Sequence, residues 1–179
     1  MLEATFDGSE GRVFYRRWDP RGPVQRIVIL VHGYAEYGGR YSHVATALAD
    51  QGASVYAPDH IGHGRTEGER ALIADFEHVV DDLSTLVDIA RHDHPGALIV
   101  MLGHSMGGLL TARYAERRPE SLAGVGFMGA VLGDWVWARE VLALPEIPQE
   151  SSDPDGMSRY PETVASYAND PLVYHGGYK

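Results

Sequence analysis

The fold of this chain is decided by residues 97–108, which read Ala-Leu-Ile-Val-Met-Leu-Gly-His-Ser-Met-Gly-Gly. The first six are apolar, as in strands that are buried on both faces of a parallel sheet. Gly103 and Gly107 lie two residues before and after Ser105, in the G-x-S-x-G pattern of a sharp turn between a strand and a helix. Such a turn leaves no room for side chains at the glycine positions and exposes the serine hydroxyl at the carboxyl edge of the sheet. The motif makes Ser105 a candidate nucleophile.

The helix after this turn supports the same interpretation. It is predicted to begin near Ser105 and to end at Arg117-Arg118-Pro119. Its amino terminus presents N–H groups and the positive end of the helix dipole to developing negative charge. Glycine-rich turns of this kind also bind phosphate groups or only allow close packing, and the motif by itself leaves those alternatives open.

Strands are predicted at regular intervals through the first part of the chain. Residues 2–6 and 12–18 form a hairpin around a glycine-containing turn, and the apolar runs at residues 26–31, 54–57 and 125–128 are further strands. Helical patterns lie between these runs. The alternation predicts an α/β fold with a mostly parallel sheet, helices on both faces and right-handed crossovers.

Apolar residues at spacings of three and four mark two of these helices. Residues 41–48 carry one such face, and Gly52 is placed to end that helix. The second helix covers residues 76–90, with Asp75 as its cap and a Pro-Gly pair at its end.

The pattern changes at about residue 130. Residues 134–144 are predicted to form a short amphipathic helix, residues 145–156 a loop rich in proline and acidic residues, and residues 158–168 another helix. We therefore predict an α/β core over residues 1–130 and an insertion over residues 131–175, a lid that covers one end of the sheet.

Composition excludes several classes of function. The chain has 15 Lys and Arg against 25 Asp and Glu, for a net charge of −10. This balance argues against nucleic acid as a partner and against electrostatic attachment to anionic membranes. The absence of cysteine excludes disulfides, thiolate metal sites and a cysteine nucleophile. The sequence shows neither a long apolar run nor a signal peptide, so a soluble cytoplasmic protein is expected.

A second candidate loop follows the strand at residues 26–31 and reads His32-Gly33-Tyr34-Ala35-Glu36. In a serine hydrolase this loop supplies an oxyanion donor, here the backbone N–H of Tyr34, beside the N–H of Met106. Glu36 and Arg40 have the spacing to pair and brace the loop, although a solvated surface pair fits the same spacing almost as well.

Four stretches of the sequence resemble one protein family. They are His32-Gly33-Tyr34-Ala35-Glu36 with Gly39-Arg40-Tyr41, residues 59–70 (Asp-His-Ile-Gly-His-Gly-Arg-Thr-Glu-Gly-Glu-Arg), residues 103–108, and Asn169-Asp170-Pro171-Leu172. The serine turn is shared by very many α/β-hydrolases, whereas residues 59–70 are much more specific to the monoacylglycerol lipases. The chain is similar to this group from about residue 10 to its end, with a looser match between residues 131 and 157.

This resemblance implies an α/β-hydrolase fold and a site. Ser105 is the nucleophile, the N–H groups of Tyr34 and Met106 bind the oxyanion, the substrate is a small glycerol ester with one fatty acyl chain, and no cofactor is needed. Tyr34 stands where the family has a small residue, so its ring would narrow the acyl pocket or add a hydroxyl to it. The segment over residues 131–155 is short for a lid of this family.

Apolar residues of the lid are expected to line the acyl tunnel and to contact a lipid surface transiently. They are Trp135, Trp137, Val141, Leu142 and Leu144. The same stripe fits an ordinary buried helix face equally well. Lipid contact would place the protein at the periphery of a membrane, and the sequence does not indicate an oligomeric state.

A serine nucleophile needs a general base, and the base needs an orienting acid. In α/β-hydrolases the acid and then the histidine follow the serine, and the resemblance places both on later strands. The sequence reaches Lys179 without those strands, so we expect these 179 residues to be part of a longer protein and to be inactive alone. The strand at residues 125–128 would then be an exposed apolar edge.

The chain itself offers only weak substitutes for these groups. His175 is the one histidine after Ser105, but it lies where the family resemblance suggests a connection between lid and core, and Asp134 is a minor candidate for the acid. His104 is expected to point away from Ser105, into the core or the layer of residues behind the site. Two histidine pairs have spacings that suit a metal ion but lack a third ligand nearby in sequence: His60 with His63, and His92 with His94.

Three functions follow from these residues. The first is hydrolysis of monoacylglycerols through an acyl-enzyme at Ser105. The second is a broader short-chain esterase or lysophospholipase. The third is a non-catalytic binding module that keeps the fold without the base, although a pure binding protein has no physical need for an intact serine turn and an oxyanion loop.

Overall fold

The computed structural model describes residues 1–147 and 153–179. Six strands form one mixed sheet in the order β1-β2-β4-β3-β5-β6. The strands β3, β4, β5 and β6 are parallel, and the β1–β2 hairpin joins β4 in the antiparallel sense. The strands are β1 (Leu2–Gly8), β2 (Gly11–Trp18), β3 (Arg26–Val31), β4 (Ala53–Pro58), β5 (Leu98–His104) and β6 (Gly124–Met128).

Five α-helices connect or follow these strands, in agreement with the predicted α/β fold. They are α1 (Ser42–Asp50), α2 (Phe76–Asp93), α3 (Met106–Arg117), α4 (Val136–Leu142) and α5 (Pro161–Ala168), with short 3-10 helices at Gly38–Tyr41, Pro119–Ser121 and Pro154–Gly156. Among the residues described, no helix combines the length and the apolar character needed to cross a lipid bilayer.

Both faces of the sheet are buried, as the continuous apolar runs predict. In β3, Ile27 and Ile29 pack in the core on the side of α2 and α3, whereas Val28 and Leu30 pack in the core on the side of α1. This alternation follows from the two-residue period of a strand. Helices on both sides of the sheet therefore exclude water from its centre and leave its carboxyl edge to carry the loops.

Local signals set several boundaries where the sequence predicts them. The Asp75 carboxylate accepts a hydrogen bond of 2.8 Å from the N–H of Glu77 and caps α2. Gly52 follows α1 with a φ of +85°, a conformation that favours glycine.

The hairpin pairing continues to Gly8 opposite Gly11, so both of its strands are longer than predicted. The strand β5 also continues through His104, two residues beyond the apolar run.

The strand β6 lies at one edge of the sheet and pairs with β5. Three of its apolar side chains are exposed: Val125, Phe127 and Met128. This agrees with the expectation of an exposed apolar edge at residues 125–128. Lysine, proline or a bulge, which natural edge strands use to avoid pairing with other chains, are absent from this strand.

A buried ion pair joins three separate segments next to the sheet. Asp59 follows β4, and its Oδ1 accepts a hydrogen bond of 2.8 Å from NH1 of Arg16 in β2. The same carboxylate accepts hydrogen bonds of 2.9 Å from the N–H groups of Gly38 and Arg65. Burial raises the pKa of Asp59, and the charge of Arg16 and these two N–H groups oppose that rise. The loops after β3 and β4 are therefore tied to one carboxylate.

Three histidines form a second buried cluster beneath the carboxyl ends of β3 and β4. The ring centroids of His32 and His60 lie 4.0 Å apart, and those of His32 and His63 lie 5.4 Å apart. The Nε2 atom of His32 accepts a hydrogen bond of 2.9 Å from the N–H of His60. The proton of His32 is therefore on Nδ1, which donates to the Gly33 carbonyl at 2.7 Å.

Burial keeps these imidazoles neutral. It lowers the pKa of His32 well below its usual value, and it lowers the pKa of His60 to about 3. The neighbouring imidazoles add to both shifts, since positive charge on one ring disfavours protonation of the next. The cluster is therefore a neutral polar layer at neutral pH.

We predict that Asp59→Asn lowers the free energy of unfolding by about 3–5 kcal/mol, because it leaves the Arg16 guanidinium buried without a counterion. Chemical denaturation measures this loss. The control is Glu3→Gln, which removes an exposed partner of Arg65 and should cost under about 1 kcal/mol. Equal small losses in the two variants would contradict the structural role of the buried pair.

The histidine cluster also predicts how stability depends on pH. The folded pKa of His60 is below its unfolded value, so the unfolded chain binds a proton at His60 more readily than the folded chain does. The contribution of neutral His60 to stability is therefore complete above about pH 6.5 and is lost as pH falls toward the folded pKa. Unfolding measured between pH 7.5 and pH 4.5 should show this loss, and His60→Phe should make the dependence shallower. The control is His78→Gln. Glu10 raises the pKa of His78, so protonation of His78 stabilises the folded state as pH falls. Removing this group should therefore make the fall in stability steeper. An unchanged slope in His60→Phe would refute the assignment.

Candidate active site

Ser105 lies in the sharp turn between β5 and α3, as the motif predicts. Its φ of +52° and ψ of −118° form a strained backbone conformation that residues other than glycine rarely adopt. A Cβ on Gly103 would overlap the carbonyl oxygen of Gly107, and a Cβ on Gly107 would overlap the carbonyl oxygen of Val31 in β3. Both glycines are therefore required by backbone contacts, which is the physical reason for the G-x-S-x-G spacing.

The two predicted oxyanion donors lie at the carboxyl ends of neighbouring strands. Met106 is the first residue of α3, where N–H groups have no partner within the helix. Tyr34 lies in the loop after β3, and β3 pairs with β5 in parallel, with Val31 opposite Gly103. A methyl group on Gly33 would lie 3.2 Å from Cβ of Ser105, so this loop is in contact with the nucleophile turn.

The Tyr34 side chain contacts other residues of the chain. Its ring stacks on the ring of Tyr178, with 6.0 Å between the centroids, and meets the ring of His63 edge-on, with 5.7 Å between the centroids. It also packs against the hydrophobic core on the side of α2 and α3. Burial raises the pKa of the Tyr34 hydroxyl. These contacts hold the ring against the C-terminal segment, and the effect of this ring on the acyl pocket stays a prediction.

The same C-terminal segment holds the oxyanion loop from outside. Ala35 has a φ of +68°, and its carbonyl accepts a hydrogen bond of 2.8 Å from the N–H of Tyr174. Asp170 accepts a hydrogen bond of 2.9 Å from the Tyr37 hydroxyl and lies 3.5 Å from NH1 of Arg40. In the sequence, residues 169–172 are distinguished only by their resemblance to a family. Their contacts with the loop, more than 130 residues away along the chain, could not be found from local patterns.

Glu36 is buried, so the alternative of a solvated surface pair is wrong and the brace is confirmed. Its Oε2 lies 3.8 Å from Nε of Arg40. Its Oε1 accepts hydrogen bonds of 2.9 Å from the N–H of Gly33, 2.7 Å from the Tyr41 hydroxyl and 2.9 Å from Nδ1 of His104. Burial alone would raise the pKa of Glu36, but hydrogen bonds, that from His104 above all, reverse the shift and lower it.

His104 is hydrogen-bonded to Glu36 and is therefore part of the layer of residues around the oxyanion loop, one of its two expected surroundings. Its side chain is 45% exposed, so it does not lie in the core. The hydrogen bond to Glu36 raises the pKa of His104, while burial opposes that shift. The interaction between Glu36 and His104 is the part of the site that sequence reasoning missed, since the two residues are 68 positions apart.

The weak substitutes for the base and acid have other partners. Asp134 is exposed and accepts a hydrogen bond of 2.9 Å from Arg139. His175 lies 3.3 Å from the carbonyl of Asp170 and meets the ring of Tyr167 edge-on. Over residues 1–147 and 153–179, no imidazole is hydrogen-bonded to Ser105.

The histidine pairs are likewise engaged elsewhere. His60 and His63 belong to the buried cluster around His32, and His94 lies 3.6 Å from Asp19. His92 is exposed in the last turn of α2. Within the described part of the chain, no group of three or more His, Asp and Glu side chains is arranged to hold a metal ion.

The helix predicted over residues 134–144 is present as α4, and apolar side chains at or next to it are exposed, whereas Val141 is partly buried. Leu142 is 72% exposed, and Trp135 and Leu144 are about half exposed. The alternative interpretation, an ordinary buried helix face, is therefore wrong for these three residues. Trp137 lies within α4, and its side chain is outside the part that the structure describes, as are residues 148–152 of the loop that follows.

Comparisons with known proteins show which family this chain is similar to. A family model described as serine aminopeptidase, S33 matches residues 22–179. The chain is 41% identical over 184 residues to a monoacylglycerol lipase of Mycolicibacterium smegmatis, which covers 97% of this chain and 66% of that protein. It is 36% identical over 177 residues to human monoglyceride lipase, which covers 93% of this chain and 58% of that protein.

Solved structures give the same result. The chain superposes on the monoacylglycerol lipase of Paleococcus ferrophilus with a TM-score of 0.76 and 29% identity, over 93% of this chain and 65% of that one. It therefore spans two thirds or less of each of these proteins. This difference in length agrees with the expectation that later strands of the family lie outside these residues. The match of the family model over most of the chain, together with the serine turn and the α/β sheet, shows that this chain belongs to the serine aminopeptidase S33 family of α/β-hydrolases.

Proposed function

We propose that this protein is a serine esterase that hydrolyses monoacylglycerols to glycerol and a free fatty acid. The observation that carries the proposal is the strained Ser105 turn, with the Tyr34 loop in contact with it and the first N–H groups of α3 beside it. Relatives named monoacylglycerol and monoglyceride lipases share 41% and 36% of the aligned residues. We propose Ser105 as nucleophile and the N–H groups of Tyr34 and Met106 as the oxyanion donors.

The reaction follows from this arrangement. The Oγ atom of Ser105 attacks the ester carbonyl, and the carbonyl oxygen becomes an oxyanion that accepts hydrogen bonds from the two N–H groups. Collapse of this intermediate releases glycerol, which takes the proton that Ser105 gave to the base, and leaves the fatty acyl group on Ser105. Water then attacks the acyl-enzyme, and the fatty acid leaves as the serine proton is restored.

The general base and its orienting acid are not among the groups that contact Ser105 over residues 1–147 and 153–179. The arrangement of the described residues accounts for the nucleophile and the oxyanion site, and the chemistry needs two further groups. Experiments on activity therefore use the protein expressed from the full reading frame that contains these residues.

We also propose that residues 131–175 form a lid and that apolar side chains of α4 and its ends contact the acyl chain: Trp135, Trp137, Leu142 and Leu144. Three of these are exposed in the structure, and a monomeric protein gains nothing from exposing them to water alone. Transient contact of this surface with lipid would deliver a substrate whose acyl chain is poorly soluble.

Labelling with a fluorophosphonate tests the nucleophile. We predict that the protein from the full reading frame gains the mass of one adduct and hydrolyses monoolein, and that Ser105→Ala abolishes both. The 179-residue chain alone should remain unlabelled, since Ser105 lacks a base there. Intact mass spectrometry measures the adduct.

Two other outcomes would replace the proposal. A full-length protein that takes no label and leaves monoolein intact would be a non-catalytic binding module. Hydrolysis of short-chain esters or lysophospholipids, with no activity on monoolein, would assign the enzyme to a broader esterase or lysophospholipase.

The lid is tested by its effect on acyl-chain length. We predict that Leu142→Ser lowers kcat/KM for monoolein about 10-fold, because an apolar contact with a long chain contributes about 1–3 kcal/mol, and leaves p-nitrophenyl acetate hydrolysis nearly unchanged. The matched control is Leu98→Ser, another exposed leucine at the opposite end of β5 from Ser105. Equal loss on both substrates, or loss in the control, would contradict the assignment.

A further inference from the structure

We propose that Glu36 is a positioning residue for this ester hydrolysis, holding the oxyanion loop and the nucleophile turn in one fixed arrangement. The proposal rests on the proposed function and adds a role for a side chain that touches neither the serine hydroxyl nor the oxyanion. Its basis is the convergence of three donors on one carboxylate oxygen of Glu36, two from the connection after β3 and one from the end of β5.

The first of these donors lies in the oxyanion loop. The N–H of Gly33 donates to Oε1 of Glu36, and the carbonyl of Gly33 accepts from Nδ1 of His32. Both peptide groups around Gly33 are therefore held by side chains. Because a trans peptide is planar, a fixed Gly33 carbonyl makes the Tyr34 N–H point in the opposite direction. The glycine would otherwise be the most flexible residue of the loop.

The second donor belongs to the nucleophile turn. His104 immediately precedes Ser105, and its ring donates to the same oxygen of Glu36 at 2.9 Å. The loop after β3 and the end of β5 are thus joined through one atom, next to the contact between Gly33 and Ser105. This connection fixes the distance between the Tyr34 N–H, the Met106 N–H and the serine hydroxyl.

The third donor and the surrounding charges favour an ionised Glu36. The Tyr41 hydroxyl donates at 2.7 Å, and Arg40 lies 3.8 Å from the other carboxylate oxygen. Arg40 is itself held near Asp170. His104 in β5 and His32, which directly follows β3, face Glu36. Burial would raise the pKa of Glu36, and the hydrogen bond from His104 is the largest of the interactions that lower it. A buried carboxylate with three donors has a single well-defined position, as preorganised catalysis requires.

The test compares Glu36→Gln with wild type in the protein from the full reading frame, with p-nitrophenyl butyrate as substrate. The glutamine oxygen can still accept from Gly33 and Tyr41, but the charge that attracts the His104 proton is gone. We expect kcat to fall about 10- to 100-fold, since small misplacement of catalytic groups costs rates of this size, while KM changes less than about twofold. The pKa of His104, followed by NMR, should fall.

The matched control is Glu77→Gln. Glu77 also accepts hydrogen bonds from two side chains, Arg113 and Arg117, but on the exposed surface formed by α2 and α3. It should leave kcat unchanged. Full kcat in Glu36→Gln, or a loss matched in Glu77→Gln, would overturn the positioning role.

A second variant keeps the proposal testable if Glu36→Gln does not fold. His104→Ala breaks the same connection from its half-exposed end, and we expect a similar fall in kcat with KM little changed. Full activity in His104→Ala would overturn the proposal. The proposed function fails separately, when wild-type protein hydrolyses no ester and takes no fluorophosphonate label.

Discussion

The site depends on one backbone contact, the close approach of the first turn of α3 to the end of β3. Gly107 lies so near the Val31 carbonyl that no side chain fits between them. This contact, together with the parallel pairing of β3 and β5, brings the loop after β3 against Ser105. The strained backbone of Ser105 costs free energy, and the packed strands and α3 around it supply the constraint that maintains it. The same contact therefore positions both Ser105 and the loop after β3.

Behind this contact lies a polar layer that is unusual for the interior of a small domain. Asp59, His32 and Glu36 are all buried, and each receives hydrogen bonds from backbone N–H groups of loops at the carboxyl edge of the sheet. Burying such groups costs free energy unless each is paired. The carboxylates of Asp59 and Glu36 and the Nε2 atom of His32 have such partners, so a loop position that removed them would leave a buried group unpaired. The layer thus makes the loops rigid without using the hydrophobic core.

The outer part of the molecule has the opposite character. Several apolar side chains of α4 and β6 are exposed, Leu142 and Phe127 among them, and the net charge of −10 gives no electrostatic attraction to anionic lipid. Contact of α4 with substrate or with a lipid surface therefore has to be driven by apolar burial alone. Under the proposed function, the rigid polar layer and the exposed apolar helix have different tasks: the first holds the reacting groups in place, and the second adapts to an acyl chain of variable shape.

The sequence alone determined the secondary-structure elements and the position of the serine turn. Apolar runs, the G-x-S-x-G spacing and the Asp75 cap are short-range signals, so the strands, the helices and Ser105 could be predicted within a few residues. Tertiary structure decided which side chains meet. Glu36 with His104, Asp59 with Arg16, and Tyr174 with Ala35 are pairs from segments between 43 and 139 positions apart. Such pairs leave no periodic pattern, because their partners become neighbours only when the hairpin, the parallel strands and the C-terminal segment assemble around the carboxyl edge of the sheet.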